Sequence, residues 1–188
     1  IIIYGKPVVS VDTAGYDGSW TSNDVTFTLN STHKLDGVKY YYNINGGEWT
    51  EMNGDTLTVS ENTNATYAFK SVNSAGIESD STQSYAVKID KTVASFNLVQ
   101  DVTEITNQSY CVKITDLQVG ISGVKAVYLN GDAIDSQSEF TVTQNGEYTV
   151  KVVSNSLLEC EKTIKIENID TQKPTVTEVT VAHKDTKD

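Results

Sequence analysis

Three aspartates near the start of the chain, Asp12, Asp17 and Asp24, are candidates for a metal site. Ca²⁺ is bound in proteins by about six to eight oxygen ligands, many of them from carboxylates. Asp90 and Asp170 stand at two similar junctions further along, where a bound Ca²⁺ would stiffen the chain. The sequence contains no Asp-x-Asp-x-Asp-Gly loop, however. A calcium site at Asp12, Asp17 and Asp24 is therefore a hypothesis beside the simpler alternative of a solvent-exposed acidic surface.

The two cysteines, Cys111 and Cys160, can form a disulfide if the protein is exported to an oxidising compartment. Cys111 lies between Tyr110 and Val112 in an alternating segment, and these neighbours are predicted to face a core. The Cys111 side chain is then expected to face outward. A bridge between Cys111 and Cys160 and a pair of free thiols both remain open.

Aromatic residues are concentrated in the first half of the chain. Three consecutive tyrosines occupy positions 40–42, and in a strand at least one of them must point away from the core. Exposed tyrosine and tryptophan rings combine an apolar face with a polar tip, which suits stacking on sugars. Trp20, Tyr41 and Trp49 are the glycan-stacking candidates. The alternative is that these rings fill the core and the ends of the fold.

No catalytic site is predicted. The chain has only 2 His, and it lacks a Gly-x-Ser-x-Gly elbow, a His-Glu-x-x-His motif and a phosphate-binding glycine loop. Its formal net charge of −11 disfavours nucleic acid as a partner, because phosphate binding needs clustered positive charge. No apolar run is long enough for membrane insertion. We expect no cofactor other than the hypothetical Ca²⁺.

The elements that would position these residues are strands. Val25, Phe27 and Leu29 alternate with threonines, and the same period of two recurs at Tyr148 and Val150. Asn-Gly pairs separate many of the segments, as tight hairpins require. About seven short strands in every 80 or so residues is the pattern of an Ig-like sandwich. We predict an all-β fold of two tandem Ig-like β-sandwiches, with about seven strands each and no significant helix.

The tandem arrangement follows from an internal repeat. Thr21 and the alternating segment after it match Thr106 and its segment, and Asp90 matches Asp170. These and other landmarks keep the same order in both copies, which is the signature of repeated domains. The predicted parts are the end of a preceding repeat or linker (1–6), a first repeat (7–91), a second repeat (92–171), and a linker or the start of a following repeat (172–188).

The segment Tyr42-Asn43-Ile44-Asn45-Gly46-Gly47-Glu48-Trp49 resembles a hairpin signature of bacterial Ig-like domain repeats. The junction around Ile169-Asp170 resembles the linkers that join such domains in tandem. The resemblance implies an extracellular or cell-surface location on a bacterial protein, with Gram-positive bacteria favoured. It also implies a non-catalytic spacer or adhesion segment, whose partners are other domains of the same chain and a host or cell-wall glycan or protein. The alternative is an accessory glycan-binding module of a secreted carbohydrate-active enzyme.

Overall fold

The computed structural model describes residues 5–180, and these contain strands but no helix. The first seven strands are β1 (Val9–Asp12), β2 (Val25–Ser31), β3 (Val38–Ile44), β4 (Thr50–Glu51), β5 (Thr56–Val59), β6 (Thr63–Asn73) and β7 (Tyr85–Ile89). The other seven are β8 (Ser95–Gln100), β9 (Tyr110–Gln118), β10 (Val124–Leu129), β11 (Asp132–Ile134), β12 (Glu139–Val142), β13 (Gly146–Ser154) and β14 (Glu159–Ile166). The predicted all-β class and the predicted strand number are confirmed.

The strands form four antiparallel sheets, which pack as two sandwiches. In the first sandwich the sheet orders are β1-β2-β5 and β4-β3-β6-β7. In the second they are β8-β9-β12 and β11-β10-β13-β14, so each strand has a counterpart seven places later. The two sandwiches therefore have the same topology, as the repeat predicts. The exact domain boundaries stay a prediction.

Each sandwich has its own apolar core between its two sheets. Alternation along the strands produces it: in β2, Val25, Phe27 and Leu29 are buried, whereas Thr28 is exposed. Phe27 is fully buried, and its ring centroid lies 5.0 Å from that of Phe69. Burial of such side chains stabilises each sandwich.

Asn-Gly turns close the hairpin between β3 and β4 in the first sandwich and between β10 and β11 in the second. Asn45 and Gly46 have φ values of 53° and 71°, and Asn130 and Gly131 have values of 51° and 93°. Positive φ at both central residues gives the turn twist that antiparallel strands need, and asparagine followed by glycine accepts it at low cost. The sequence prediction of hairpins at these pairs is confirmed.

A tyrosine corner is present in the second sandwich. The Tyr148 hydroxyl donates a hydrogen bond of 2.9 Å to the carbonyl oxygen of Gln144, which ties the start of β13 to the preceding loop. In the first sandwich Tyr67 is buried, and its ring stacks on Phe27 and Tyr42 with centroid distances of 6.1 and 6.2 Å. Tyr67 pairs with the residue before its Asn-Gly turn, as Val150 does in the second sandwich, so it is not the counterpart of Tyr148. The corner bond is thus observed at Tyr148.

Residues 171–180 come after the last strand, are exposed and pair with no strand within the described part of the chain. The predicted end of a preceding repeat (1–6) lies outside the described residues except for Gly5 and Lys6. The last part of the predicted linker, 181–188, also lies outside them. Residues 5–180 include no helix of the length and apolarity needed to cross a membrane.

Candidate functional site

The two sandwiches meet at the carboxyl group of Asp90, the residue directly after β7. Asp90 has no exposed surface. Its Oδ2 accepts a 2.8 Å hydrogen bond from the backbone N–H of Ser122, which lies between β9 and β10 of the second sandwich. Its Oδ1 accepts a 3.0 Å bond from the N–H of Thr92. A buried carboxylate is costly without partners, and here the second sandwich provides one of them.

Gly120 permits this close approach. A Cβ atom built on Gly120 would overlap both carboxylate oxygens of Asp90, well inside van der Waals contact. The φ of Gly120 is not in the left-handed region, so glycine is required by space and not by backbone conformation. Any other residue at position 120 must push the carboxylate away.

The loop that reaches Asp90 is a tight turn of residues 120–123. The N–H of Gly123 donates to the carbonyl of Gly120 at 3.1 Å, and Gly123 has a φ of 72°. Asn155, in the connection between β13 and β14, holds the turn, because its Nδ2 donates to the carbonyl of Ser122 at 2.7 Å. Contacts within the second sandwich therefore fix the orientation of the Ser122 N–H toward the carboxylate.

Side chains of the first sandwich hold the linker between the sandwiches. The Lys91 ammonium pairs with Asp24 at 2.5 Å, and the Lys91 N–H donates to Asn62 Oδ1 at 2.8 Å. Asn62 Nδ2 also donates to the Thr92 hydroxyl at 2.9 Å. Three consecutive residues, 90–92, are thus bonded to groups outside the linker. This arrangement limits rotation at the linker.

The electrostatics favour a charged carboxylate at the junction. Burial raises the pKa of Asp90, but hydrogen bonds donated by Ser122 and Thr92 outweigh burial and hold the pKa below its ordinary value. The Asp24 carboxyl behaves similarly, since hydrogen bonds from Lys91 and Ser60 lower its pKa. The carboxyl groups of Asp90 and Asp24 are therefore both ionised at neutral pH.

The three aspartates of the calcium hypothesis make separate local contacts. Asp12 accepts from the N–H of Ala14 at 2.9 Å, Asp17 accepts from the N–H of Ser19 at 2.9 Å, and Asp24 pairs with Lys91. Hydrogen bonds donated by Ser19 lower the pKa of Asp17. Within residues 5–180, no three acidic, histidine or cysteine side chains are grouped closely enough to hold a metal ion. A bound Ca²⁺ stays an untested prediction.

Tyr41 and Trp49 come together on the outer face of the four-stranded sheet of the first sandwich. Tyr40 is buried, so Tyr41 faces outward, and Lys70 lies opposite it on β6. The Lys70 ammonium lies 5.6 Å from the centroid of Tyr41 and 5.0 Å from that of Trp49. Together with Glu51, these three residues form what we call the aromatic surface.

Ion pairs and hydrogen bonds order the aromatic surface. The Tyr41 hydroxyl donates to Glu51 at 3.2 Å, and Lys39 pairs with the same carboxylate at 2.9 Å. The hydrogen bond from Lys39 lowers the pKa of Glu51, and Glu51 raises the pKa of Lys39. Because Lys70 lies over both rings, a sugar can stack on the same ring faces only if Lys70 moves.

Trp20, the third glycan-stacking candidate, lies elsewhere. It is partly buried and precedes Thr21, which bridges to Ile89 at the junction end of the sheet. Ile89 pairs with Thr63, seven positions from Lys70 along β6, a distance of roughly 23 Å at the usual rise of a strand. The structure therefore brings Tyr41 and Trp49 together and leaves Trp20 outside their surface.

Cys111 and Cys160 are free thiols in the structure, so the bridge considered from the sequence is not formed. Cys111 is on β9 and Cys160 on β14, in different sheets of the second sandwich. Cys111 lies on the outer face beside Thr141, with 3.9 Å between the sulfur and the hydroxyl oxygen, whereas Cys160 packs against the core. The outward orientation of Cys111 agrees with its position in the alternating pattern.

The sequence did not indicate the contacts of three of these residues. Asp90 was a junction residue in the repeat, but its contact with Ser122 joins positions 32 residues apart in different domains. A glycine that serves close approach, such as Gly120, has no signal in a single sequence. Lys70 was equally hidden, although its place opposite Tyr41 follows once the register of β3 and β6 is known.

Comparisons with known proteins give distant structural likenesses. Fibronectin(III)-like modules of Clostridium thermocellum CbhA have 12% identity and a TM-score of 0.37, covering 92% of this chain and all of theirs. Bacteroides ovatus SGBP-B of a mixed-linkage glucan utilization locus, in complex with a heptasaccharide, has 13% identity and a TM-score of 0.37 over 89% of this chain and 48% of its own. The FN1–FN3 domains of chicken CNTN1 have 11% identity and a TM-score of 0.32 over 86% and 66%.

This chain thus spans about half the length of the Bacteroides ovatus protein. No protein-family model and no curated protein matches the sequence. The assignment of two all-β sandwiches rests on the strand pairing described above.

Proposed function

We propose that this chain is a non-catalytic spacer, which holds its two sandwiches, and whatever is attached to them, at a fixed separation and orientation. The buried contact between Asp90 and Ser122 carries the proposal. A flexible tether needs no buried charge between its domains. Here a carboxylate of one sandwich is covered by a glycine and bonded by an amide of the other.

The proposal includes an extracellular or cell-surface location on a bacterial protein and a role in display or adhesion. The two predicted repeats each carry 5 Lys and 11 acidic residues, so both present the evenly charged, hydrated surface that keeps extended proteins soluble. The partners proposed are other domains of the same chain and a host or cell-wall component.

Small-angle scattering of the chain and of Gly120→Ala tests the spacer function. A methyl group at position 120 cannot share space with the Asp90 carboxylate, so we expect the variant to populate many relative orientations of the sandwiches. The parent chain should instead fit one conformation. Identical scattering by a folded Gly120→Ala variant would argue against a spacer held at this junction.

Gly37→Ala is the matched control. Gly37 also has no left-handed φ, and a Cβ built there meets no atom within 4 Å. This variant should scatter like the parent chain, which separates the effect of the junction from a general effect of replacing glycine by alanine.

The second candidate function is glycan binding at the aromatic surface. It is favoured by one observation, that Tyr41 and Trp49 lie together on the outer face of one sheet, and it requires Lys70 to move off their rings. Retention on immobilised polysaccharides tests it, and Tyr41→Ala should abolish any retention that this surface causes.

Tyr128→Ala is the control for Tyr41→Ala. Tyr128 has a lysine over its ring, since Lys151 Nζ lies 5.1 Å from the centroid. Loss of retention in both variants, or no retention of the parent chain on a broad panel of polysaccharides, would exclude the aromatic surface as a glycan site.

A further inference from the structure

The end of the second sandwich repeats the backbone arrangement that surrounds Asp90. Thr106 bridges to Ile169 in the same parallel sense as Thr21 bridges to Ile89. The carbonyl of Thr106 accepts the N–H of Asp170 at 2.8 Å, and that of Thr21 accepts the N–H of Asp90 at 2.9 Å. The two aspartates are therefore placed alike on their sandwiches.

The carboxylates are also oriented alike. Asp170 Oδ1 accepts from the N–H of the residue two positions on, Gln172, at 2.9 Å. Asp90 Oδ1 accepts from the N–H of Thr92 at 3.0 Å. In both cases the other carboxylate oxygen is left for a partner, and at Asp90 the partner is Ser122.

The difference lies in what covers them. Asp90 is fully buried, whereas Asp170 is exposed and borders an open cavity of about 460 Å³. The cavity is also lined by Asn145, Asn168 and Ile169, which belong to the same end of the second sandwich. At the corresponding end of the first sandwich, the turn of residues 120–123 covers the carboxylate.

We propose that the Asp170 end of the second sandwich is a docking surface for the Gly-x-Ser-Gly turn of another sandwich of this kind, seated as residues 120–123 are seated on Asp90. The incoming glycine would pass the carboxylate, and the serine N–H would donate to Asp170 Oδ2. This proposal rests on the spacer function above. It implies that each further sandwich is added through the same contact between a carboxylate and a turn.

The occupant is defined by three features of the first junction. It must carry a glycine where Gly120 stands, because a Cβ atom there would overlap the carboxylate. It must present a free backbone N–H two residues later, as Ser122 does. It must be connected through a linker as short as Lys91, which separates Asp90 from Thr92.

A chain with a second copy of residues 92–171 joined directly after Thr171 tests the proposal. The joined sequence Asp170-Thr171-Thr92 then has the same spacing as Asp90-Lys91-Thr92. The added copy carries Ile121→Val, so that its turn peptide is distinguished by mass from the native one. Hydrogen exchange of both turn peptides is measured by mass spectrometry in this chain and in its Asp170→Ala variant.

We expect the turn peptide of the added copy to exchange about tenfold more slowly with Asp170 than with alanine, while the native turn peptide stays unchanged. Equal exchange of the added turn in both chains, with slow exchange in the strands of the added copy, would overturn the proposal. A second variant, Gly120→Val in the added copy alone, should remove the same protection with Asp170 intact.

The native turn distinguishes this failure from failure of the spacer function. If the native turn is protected and the added turn is not, the docking proposal is wrong and the first junction stands. If the native turn in the unmodified chain also exchanges freely, both proposals are wrong.

Discussion

The two sandwiches have the same strand order but differ at their ends. Asp90 closes the first sandwich and is buried under a turn of the second, whereas Asp170 closes the second and is exposed. Each carboxylate accepts a similar hydrogen bond from the residue two positions on. A repeated fold can thus carry one local structure twice and give it two environments, because the environment depends on whether another sandwich packs against that end.

The outer faces differ as well. The first sandwich has Tyr41 and Trp49 around one lysine, whereas on the second a single tyrosine, Tyr128, lies under Lys151. The aromatic surface is therefore a property of the first sandwich and not of the repeat. The two sandwiches thus share the local structure at their ends and diverge on their outer faces.

The largest expected effect concerns the separate cores. Phe27→Ala should lower the free energy of unfolding of the first sandwich by about 3–5 kcal/mol, since it removes a fully buried aromatic ring. Val112 is also fully buried, on the equivalent strand β9. Val112→Ala should lower the free energy of unfolding of the second sandwich by less, because it removes fewer buried atoms. Thermal unfolding followed by calorimetry measures both.

Thr28→Ala, on the exposed side of β2, is the control and should change stability by no more than about 0.5 kcal/mol. If Phe27→Ala lowers the unfolding temperature of both sandwiches equally, the two cores are not energetically independent.

The next effect separates the two carboxylates. Asp90→Ala should weaken the junction by about 1.5–3 kcal/mol, since it removes the charged acceptor of the Ser122 and Thr92 amides. Asp170→Ala removes an exposed carboxylate and should cost no more than about 0.5 kcal/mol. Denaturant unfolding of the two variants gives the comparison, and equal costs would contradict the difference in burial.

A smaller effect distinguishes the corner tyrosine, Tyr148, from the buried Tyr67. Tyr148→Phe should cost about 1 kcal/mol, because it removes the hydroxyl that donates to Gln144. Tyr67→Phe should be nearly neutral, since no hydrogen bond of its hydroxyl to residues 5–180 is observed. Denaturant midpoints measure both. A larger loss of stability for Tyr67→Phe than for Tyr148→Phe would show that the corner bond does not stabilise the second sandwich as described.

The smallest effect is the pH dependence of the junction. The pKa of Asp90 is lowered in the folded chain, so its contribution to stability is complete above its unfolded pKa of about 3.9 and is lost as pH falls through the folded value. Asp90→Asn should abolish this pH-dependent contribution. Hydrogen exchange of residues 120–123 measures it, and their protection should fall less between pH 5 and pH 3 in the variant than in the parent chain. An unchanged pH response would show that Asp90 is not the titrating group.

Much of the fold was predictable because its signals are local. The alternation of Val25, Phe27 and Leu29 predicts a half-buried strand, and Asn45-Gly46 predicts the hairpin turn that follows β3, without knowledge of distant residues. The repeat then predicts the second sandwich from the first. The outward orientation of Cys111 follows from the same alternation.

The junction could not be predicted in the same way. Nothing near Asp90 in the sequence indicates that Gly120 and Ser122 will cover it, because this contact depends on how two folded bodies meet. The aromatic surface was predicted in part: the alternation at positions 40–42 requires one outward tyrosine, but the position of Lys70 over Tyr41 and Trp49 depends on strand register. Patterns in a single sequence predict neither the register between distant strands nor the way in which two folded sandwiches pack against each other.

The most direct test of the central claim, that the junction fixes the two sandwiches relative to each other, is the measurement of residual dipolar couplings from the amides of both sandwiches in one weakly aligned sample. We expect the couplings of the first and second sandwiches to fit a single alignment tensor, and Gly120→Ala to require two. If the parent chain already requires two tensors of different magnitude, the sandwiches move independently and the account of the Asp90 junction is wrong.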